Sequence, residues 1–349
     1  MSVTPGPPPQ LPALGDAYGW GAAHEVRYLP TGLMNRNWRV DTEAGVFALK
    51  QLADTTAAIA RRNLRVLAAL IADGMPGCPP RPTVAGDPVA EIDGAAFCVL
   101  GWIDGHHPPG LQLSLTQAAE FGAVVGRIHR SLHIVGPSAG LPALPDRLTA
   151  KAMNPDETLR EADRYLAAAT AGGSPFDAAV VELLAHRKVL IDKYASDRPP
   201  TDVPVGRFGW THGDLQYRNI LWGRPPSPPA PEHIVGVLDW DRIKVRPYAE
   251  EVARTATIGF SHDGGRLDLP RIAAFVGGYR SITPLTNDEI TDGVLRLWYK
   301  RLSDFWHLVF HYDHHDYSCD DLFITGEQTL EWWTANRDDV LAAFTGGTT

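Results

Sequence analysis

The chain of 349 residues carries 41 acidic and 32 basic side chains, a formal net charge of −9, with 44% apolar and 21% charged residues. This length accommodates two lobes, and the composition is that of a soluble globular protein. The acidic balance argues against a general nucleic-acid binder, which needs clustered Lys and Arg; it suits a cationic substrate and is also ordinary among soluble proteins.

Residues 1–13 are Pro-rich and read as a tail, without the basic and apolar regions of a secretory leader. From Glu25 the pattern turns to strands: Glu25–Leu29, Asn37–Asp41 and Val46–Gln51, short apolar runs broken by Gly and Pro. Thr55 or Thr56 then caps a helix in which Ala60, Leu64, Leu67 and Ile71 recur at helical spacing until Gly74. Val89–Ile92 and Ala96–Leu100 form a further strand pair, and 101–110, rich in Gly, His and Pro, reads as a connector.

Beyond Pro109 the chain is mainly helical. Phe121, Val125, Ile128 and Leu132 make one stripe, with His129 read as a structural, buried histidine. A long helical region covers 155–194, broken at Gly172-Gly173. Thr286 with Glu289, and Thr325 with Gln328, predict capping boxes of late helices. One strand pair interrupts this half, near Ile220–Trp222 and Ile234–Leu238, with a Pro-rich loop at 224–231 between them. No apolar run approaches the about 20 residues of a membrane span. Cys78, Cys98 and Cys319 are too scattered for a disulfide framework or a C-x-x-C site, which predicts a reducing, cytoplasmic setting.

The chemistry concentrates in His212-Gly-Asp-Leu-Gln-Tyr-Arg-Asn219, leading into Ile220-Leu-Trp222, and in Val237-Leu-Asp-Trp-Asp241. Phosphoryl transfer needs an acid that takes or orients the acceptor hydroxyl's proton, and hard oxygen ligands for Mg²⁺ against the phosphates. A loop bearing Asp and Asn five apart, followed by a hairpin that returns another Asp, gathers those groups.

This H-G-D-x-x-x-x-N pattern resembles the catalytic loop of the aminoglycoside phosphotransferase and choline kinase superfamily. The resemblance implies an α+β, bilobal, protein-kinase-like fold: a small N-terminal lobe (14–103) with an antiparallel sheet and one helix, then a larger, mainly helical lobe (104–349). It implies ATP as donor, with GTP also compatible, and Mg²⁺. Asp214 becomes the base, Asn219 and Asp239 the Mg²⁺ ligands, and His212 a scaffold residue of the loop. Phe47-Ala-Leu-Lys50 resembles the V-A-I-K element, so Lys50 would hold the α- and β-phosphates. Thr31, Asn35 and Asn37 stand where a phosphate-covering loop belongs, and Leu100, Gly101, Trp102 and Ile103 resemble the hinge whose main chain reads the base.

One departure stands out. The family places a Glu in the helix after the lysine strand, and here the matching position is Asn63. Either Asn63 bonds Lys50 or another acid does.

For the acceptor, the resemblance points to the late helices, with Asp304 and Trp306 as candidates; Glu250, Glu251 and Asp263, after the Asp239 element, are further ones, and Asp241 could approach the metals or the acceptor. His311, Asp313, His314 and His315 are not expected to form a metal site, because successive helical residues point about 100° apart. The expected partners are a nucleoside triphosphate and a small-molecule alcohol, with no nucleic acid and no membrane. The alcohol is an aminoglycoside or other antibiotic, or a metabolite such as homoserine, choline or a sugar. A protein kinase is disfavoured, since no A-P-E follows Asp239 and Trp240 replaces the Phe of D-F-G. A non-catalytic nucleotide-binding regulator is the remaining alternative.

Overall fold

A computed structural model describes residues 6–30, 35–224 and 232–346. The chain divides into two compact units: Met1–Pro108, Arg127–Leu144 and Trp210–Val245 form the first, and Pro109–Gly126, Pro145–Gly209 and Arg246–Thr349 the second. The expected single boundary after residue 103 therefore gives way to a division in which 210–245 groups with the sheet.

In the first unit, helix α1 (Leu11–Tyr18) starts with Pro near its N-terminus, where a missing N–H costs nothing. This corrects the tail expectation. Leu14 and Tyr18 are buried in the core, Tyr18 Oη donates to the Phe97 carbonyl at 2.9 Å, and Gly6 already accepts from Trp38 Nε1 at 3.0 Å. Strands β1 (Ala23–Leu29), β2 (Arg36–Thr42) and β3 (Gly45–Leu52) form an antiparallel meander. Helix α2 (Ala57–Ala72) follows, its N-cap Thr56 accepting from the Ile59 N–H. Strands β4 (Pro80–Arg81), β5 (Val89–Ile92) and β6 (Ala95–Gly101) complete a six-stranded sheet in the order β1-β2-β3-β6-β4, with β5 also on β6. Lys50 sits opposite Asn37 on β2 and Cys98 on β6.

Helix α3 (Leu115–Val135) buries Phe121, Val125, Ile128, His129 and Leu132, as the periodicity predicts. The second unit carries α4 (Pro155–Ala171) and α5 (Pro175–Lys193), separated at Gly172–Ser174. After β7 (Phe208–Thr211), β8 (Ile220–Gly223), β9 (His233–Val237) and β10 (Lys244–Pro247) come the remaining helices. They are α6 (Tyr248–Gly259), α7 (Leu269–Arg280), α8 (Asn287–Ser303), α9 (Trp306–Leu308), α10 (Asp320–Ala335) and α11 (Arg337–Thr345). Thr286 and Glu289 form the expected capping box of α8. The expected box at Thr325 and Gln328 does not form. Thr325 lies inside α10 and its hydroxyl donates to the Asp321 carbonyl at 2.9 Å, the helix-interior use of a Thr that shares the same spacing. Among the described residues no helix is long and apolar enough to cross a membrane.

Two glycines set a close helix crossing in the second unit. A Cβ on Gly122 of α3 would lie 1.8 Å from the Phe275 carbonyl oxygen of α7, and one on Gly278 would lie 1.9 Å from that of Ala119. Gly277, next in the chain, has open space. Gly122→Ala is therefore expected to force the helices apart and destabilise the protein by about 1–3 kcal/mol. Gly277→Ala should be neutral or stabilising, since Ala gains about 1 kcal/mol over Gly in a helix. Paired thermal denaturation of the two variants checks this; equal melting temperatures would refute it.

Candidate active site

The loop 212–219 and the segment after β9 are tied together within the first unit. His212 Nε2 lies 2.9 Å from the Leu238 carbonyl, and the Leu238 N–H donates to the Asn219 carbonyl at 2.8 Å. His212 is fully buried, its ring 4.7 Å from that of Trp240 and tilted 52° to it, which makes it part of the scaffold under the loop. Gly213 has φ +86°, and a Cβ there would meet the Arg242 carbonyl oxygen at 1.9 Å, so this position requires glycine twice over. Asp214 follows at once and keeps partial exposure. Asn219 Nδ2 donates to the Asp214 carbonyl at 2.8 Å, which turns its amide oxygen, a hard acceptor, the other way.

Lys50 joins two carboxylates. Its Nζ lies 2.5 Å from Asp239 Oδ1 and 2.6 Å from Asp241 Oδ2. Burial works against the ammonium, but these two charges outweigh it and hold the Lys50 pKa well above the usual lysine value. At Asp239 burial is likewise overridden by the lysine, and the carboxyl stays below its ordinary range. Burial, with the Asp239 charge adding to it, lifts Asp241 despite the same lysine. The pair thus shares one counter-ion unequally, with Asp239 the firmly ionised member. Asp239 also holds a left-handed backbone, φ 62° and ψ 60°, a conformation that costs a non-Gly residue about 1–2 kcal/mol. Trp240 Nε1, donating to the Val237 carbonyl at 2.9 Å, braces that bend.

The missing helix Glu is thereby explained. Asn63, buried in α2, spends its amide N–H groups elsewhere than on Lys50: its Nδ2 donates to the carbonyls of Trp240 at 3.0 Å and Asp241 at 2.9 Å. Its Oδ1 accepts from Arg62. Helix α2 holds the loop that holds the lysine, and the acids come from that loop.

The phosphate-loop candidates part ways. Thr31 lies outside the described residues. Asn35 is buried and bonded at both ends of its amide, donating to Asp241 Oδ2 at 2.9 Å and accepting from the Ala53 N–H at 2.9 Å, so it braces Asp241. Asn37 faces Lys50 across the ladder. In the hinge, Leu100 pairs with Ala48 and Pro80, and the Trp102 N–H is committed to the Val46 carbonyl at 3.1 Å. The Gly101 carbonyl, in the same trans peptide, points the opposite way. The Trp102 ring stacks under Arg39 and donates to Asp104 Oδ1 at 3.0 Å, which is packing.

Comparison with known proteins agrees with this geometry. Residues 25–285 match the APH phosphotransferase enzyme family. The chain belongs to that family. A homoserine kinase of Methylobacillus glycogenes is 23% identical over 300 residues, 82% of each chain. A spectinomycin phosphotransferase, solved with ADP and spectinomycin, superposes with a TM-score of 0.61 at 15% identity, over 97% of this chain and 98% of that one. A microcompartment-associated aminopropanol kinase gives 0.55 at 18% identity, over 92% and 94%. As a member of the APH family the chain is a small-molecule phosphotransferase with a kinase-like α+β fold.

The remaining candidates of this APH chain lie in the second unit. Glu251 is buried in α6, while Glu250 sits 3.9 Å from Arg246 and is partly exposed. Asp304 Oδ1 accepts from the Trp306 N–H at 3.0 Å, and the Trp306 ring, 41% exposed, stacks on His307. The His-rich stretch is spent on other bonds, His311 on Asp320 and Asp313 on Arg164, and among the described residues no three His, Cys, Asp or Glu side chains close around one point. What the sequence reading missed is the role of Asn63 and Asn35 as braces of the 239–241 loop. The only signal for Asn63 was its place where a Glu was expected.

Asn63→Ala removes two hydrogen bonds from main-chain carbonyls, one buried and one partly buried, an expected loss of about 2–3 kcal/mol. The urea midpoint should fall with no change in slope. A variant as stable as wild type would show that α2 does not anchor the loop.

Proposed function

We propose that this protein transfers the γ-phosphoryl group of ATP, in a Mg²⁺-dependent reaction, to a hydroxyl of a small molecule, with Asp214 receiving the hydroxyl proton. The observation that carries the reading is Lys50 fastened to Asp239 and Asp241, beside a loop whose Asn219 main chain is bonded to Leu238. The donor set fits a hard cation: the Asp239 carboxylate and the Asn219 amide oxygen would hold Mg²⁺, an ion that takes oxygen ligands and keeps water and phosphate oxygens as the others. Mg²⁺, when bound, supplies charge neutralisation on the phosphates.

The chain's own groups divide the remaining work. Lys50 binds the α- and β-phosphates, and the firm ionisation of Asp239 leaves it available as an anionic ligand. Asp241, braced by Asn35 and Asn63, keeps the ammonium in place and stands in for the absent helix Glu. Asp214, partly exposed at the loop's turn, meets the acceptor. The Gly101 carbonyl and the Ile103 N–H flank the committed Trp102 N–H and read the base, in ATP or GTP. A cytoplasmic setting supplies such a donor.

An antibiotic or related natural product is the first acceptor class, supported by the likeness to spectinomycin phosphotransferase. A metabolite alcohol is the second, supported by the homoserine kinase relative.

Asp214→Asn is expected to lower kcat by at least about 10²–10⁴ while leaving the nucleotide Kd within a few-fold, because it removes the base and keeps the shape. Asp239→Asn should instead weaken nucleotide binding in the presence of Mg²⁺ and leave metal-free binding little changed. Calorimetry with and without Mg²⁺, alongside an ADP-coupled assay, separates the two; near-normal turnover by Asp214→Asn sinks the assignment. An ADP-release screen over aminoglycosides, peptide antibiotics, nucleosides, amino alcohols and sugars identifies the acceptor class.

A further inference from the structure

In the second unit α5, α6 and α8 each bring an arginine, Arg187, Arg254 and Arg301, close enough for their charges to act on one another. Arg187 is fully compensated: Nη1 is 2.7 Å from Glu327 Oε1, Nε donates to the Leu302 carbonyl at 3.0 Å, and Nη2 donates to those of Asp304, at 2.7 Å, and Arg301. Its guanidinium also lies 4.3 Å from the Phe305 ring. Arg301 has none of this. Its Nε is sealed from solvent without a hydrogen-bond partner, and among the described residues no carboxylate pairs with its guanidinium. Its neighbours are of its own sign: burial first, then the charges of Arg254 and Arg187, pull its pKa down to about 10.

Two ordinary explanations fail. Arg301 stands in the last turn of α8, where a cation can satisfy the helix carbonyls, but Arg187 already occupies those of Arg301 and Leu302. The nearby His307 does not add to or offset the charge. Burial, reinforced by Arg187 and Arg301, lowers its pKa to about 4, so at neutral pH it is an uncharged imidazole with one N–H to donate. A guanidinium left unpaired at such depth is expensive unless an anion completes it. Of the guanidinium nitrogens of Arg301 only Nε is sealed without a partner, and the residue as a whole is half-buried.

We propose that Arg301, with Arg254 beside it and Arg187 fixing the backbone beneath, forms a binding site for a compact anion, a carboxylate or phosphate carried by a small molecule. A planar fork of N–H donors suits either group. Within the proposed function, the acceptor's own acidic group is one source of this anion, and a separate anionic effector is the other. The first makes the acceptor an alcohol that also carries an acid, and rests on that functional reading; the site itself does not.

The test uses the full-length protein and a matched pair, L-homoserine and 3-aminopropan-1-ol, which share hydroxyl and amine and differ in the carboxylate, with inorganic phosphate as the simple probe. Calorimetry should show phosphate or homoserine binding to wild type, at least tenfold weaker binding to Arg301→Gln, and partial recovery in Arg301→Lys. Aminopropanol should be indifferent to either substitution. Equal anion affinity in wild type and Arg301→Gln, or no anion binding by wild type, overturns the proposal. Should Arg301→Gln fail to fold, Arg301→Lys against wild type decides it on the same titrations, unchanged affinity for both anions being the adverse result. In the ADP-coupled assay, a rise in KM for homoserine alone, at constant KM for ATP, assigns the site to the acceptor. Phosphate-dependent turnover that needs Arg301 assigns it to an effector. If no acceptor in the screen is phosphorylated yet anion binding still requires Arg301, the catalytic reading fails and the anion site stands.

Discussion

The first unit is organised around one ammonium group between two carboxylates. Lys50 comes from the middle of a sheet, Asp239 and Asp241 from a loop nearly two hundred residues later, and their contact fixes the loop's position against β3. Like charges two residues apart repel, and the lysine is what lets both remain close. The arrangement is lopsided in a useful direction. Asp239, whose side chain is the more exposed of the two, is the one held ionised, while burial and its neighbour's charge press Asp241 towards the neutral form. Under the proposed function, a site that receives a divalent ion and several phosphates gains from having one committed anion and one adaptable one.

Around that contact the protein places amides where charges would be expected. Asn63 and Asn35 both reach the 239–241 segment, one through main-chain carbonyls and the other through the Asp241 carboxylate. An amide at position 63 can donate to two carbonyls, which a Glu could not do. The exchange moves the lysine's partner from helix α2 to the loop and leaves the helix to hold the loop. It also accounts for a left-handed Asp239, since a strained residue persists only where its surroundings over-determine it. Trp240, His212 and Gly213 supply the rest of that determination, through the indole bond to Val237, the ring bond to Leu238 and the close approach to Arg242.

Much of this was legible in the residues. Alternating apolar runs marked the meander and the β8–β9 pair, the 3.6-residue stripe marked α3, and the spacing of Asp214, Asn219 and Asp239 singled out the segments that the structure ties together at Leu238. What stayed hidden was of two kinds. Local signals with two meanings misled: Pro8 to Pro12 reads equally as a tail or a helix start, and Thr325 equally as a cap or an interior residue bonded to its preceding turn. Pairings over long separations had no local signal at all. Asn63 with Trp240 and Asn35 with Asp241 are separated by 177 and 206 residues, and nothing at either end announces the other.

The same limit applies to charge. A net of −9 describes an average, and the average suggested affinity for cations. Electrostatic work is done at separations of a few ångströms, where the count that matters is local. Arg187, Arg254 and Arg301 look in sequence like ordinary solvated positions on three helices, each with acids a turn or two away. Folding gives Glu327 to Arg187 and leaves Arg301 with two cations for neighbours and a buried Nε. Methionine or leucine would fill that position at the end of α8 without electrostatic penalty. A guanidinium kept there against burial and repulsion is explained by a partner that arrives from solution, and it reverses, at that one place, the sign that composition assigns to the whole chain.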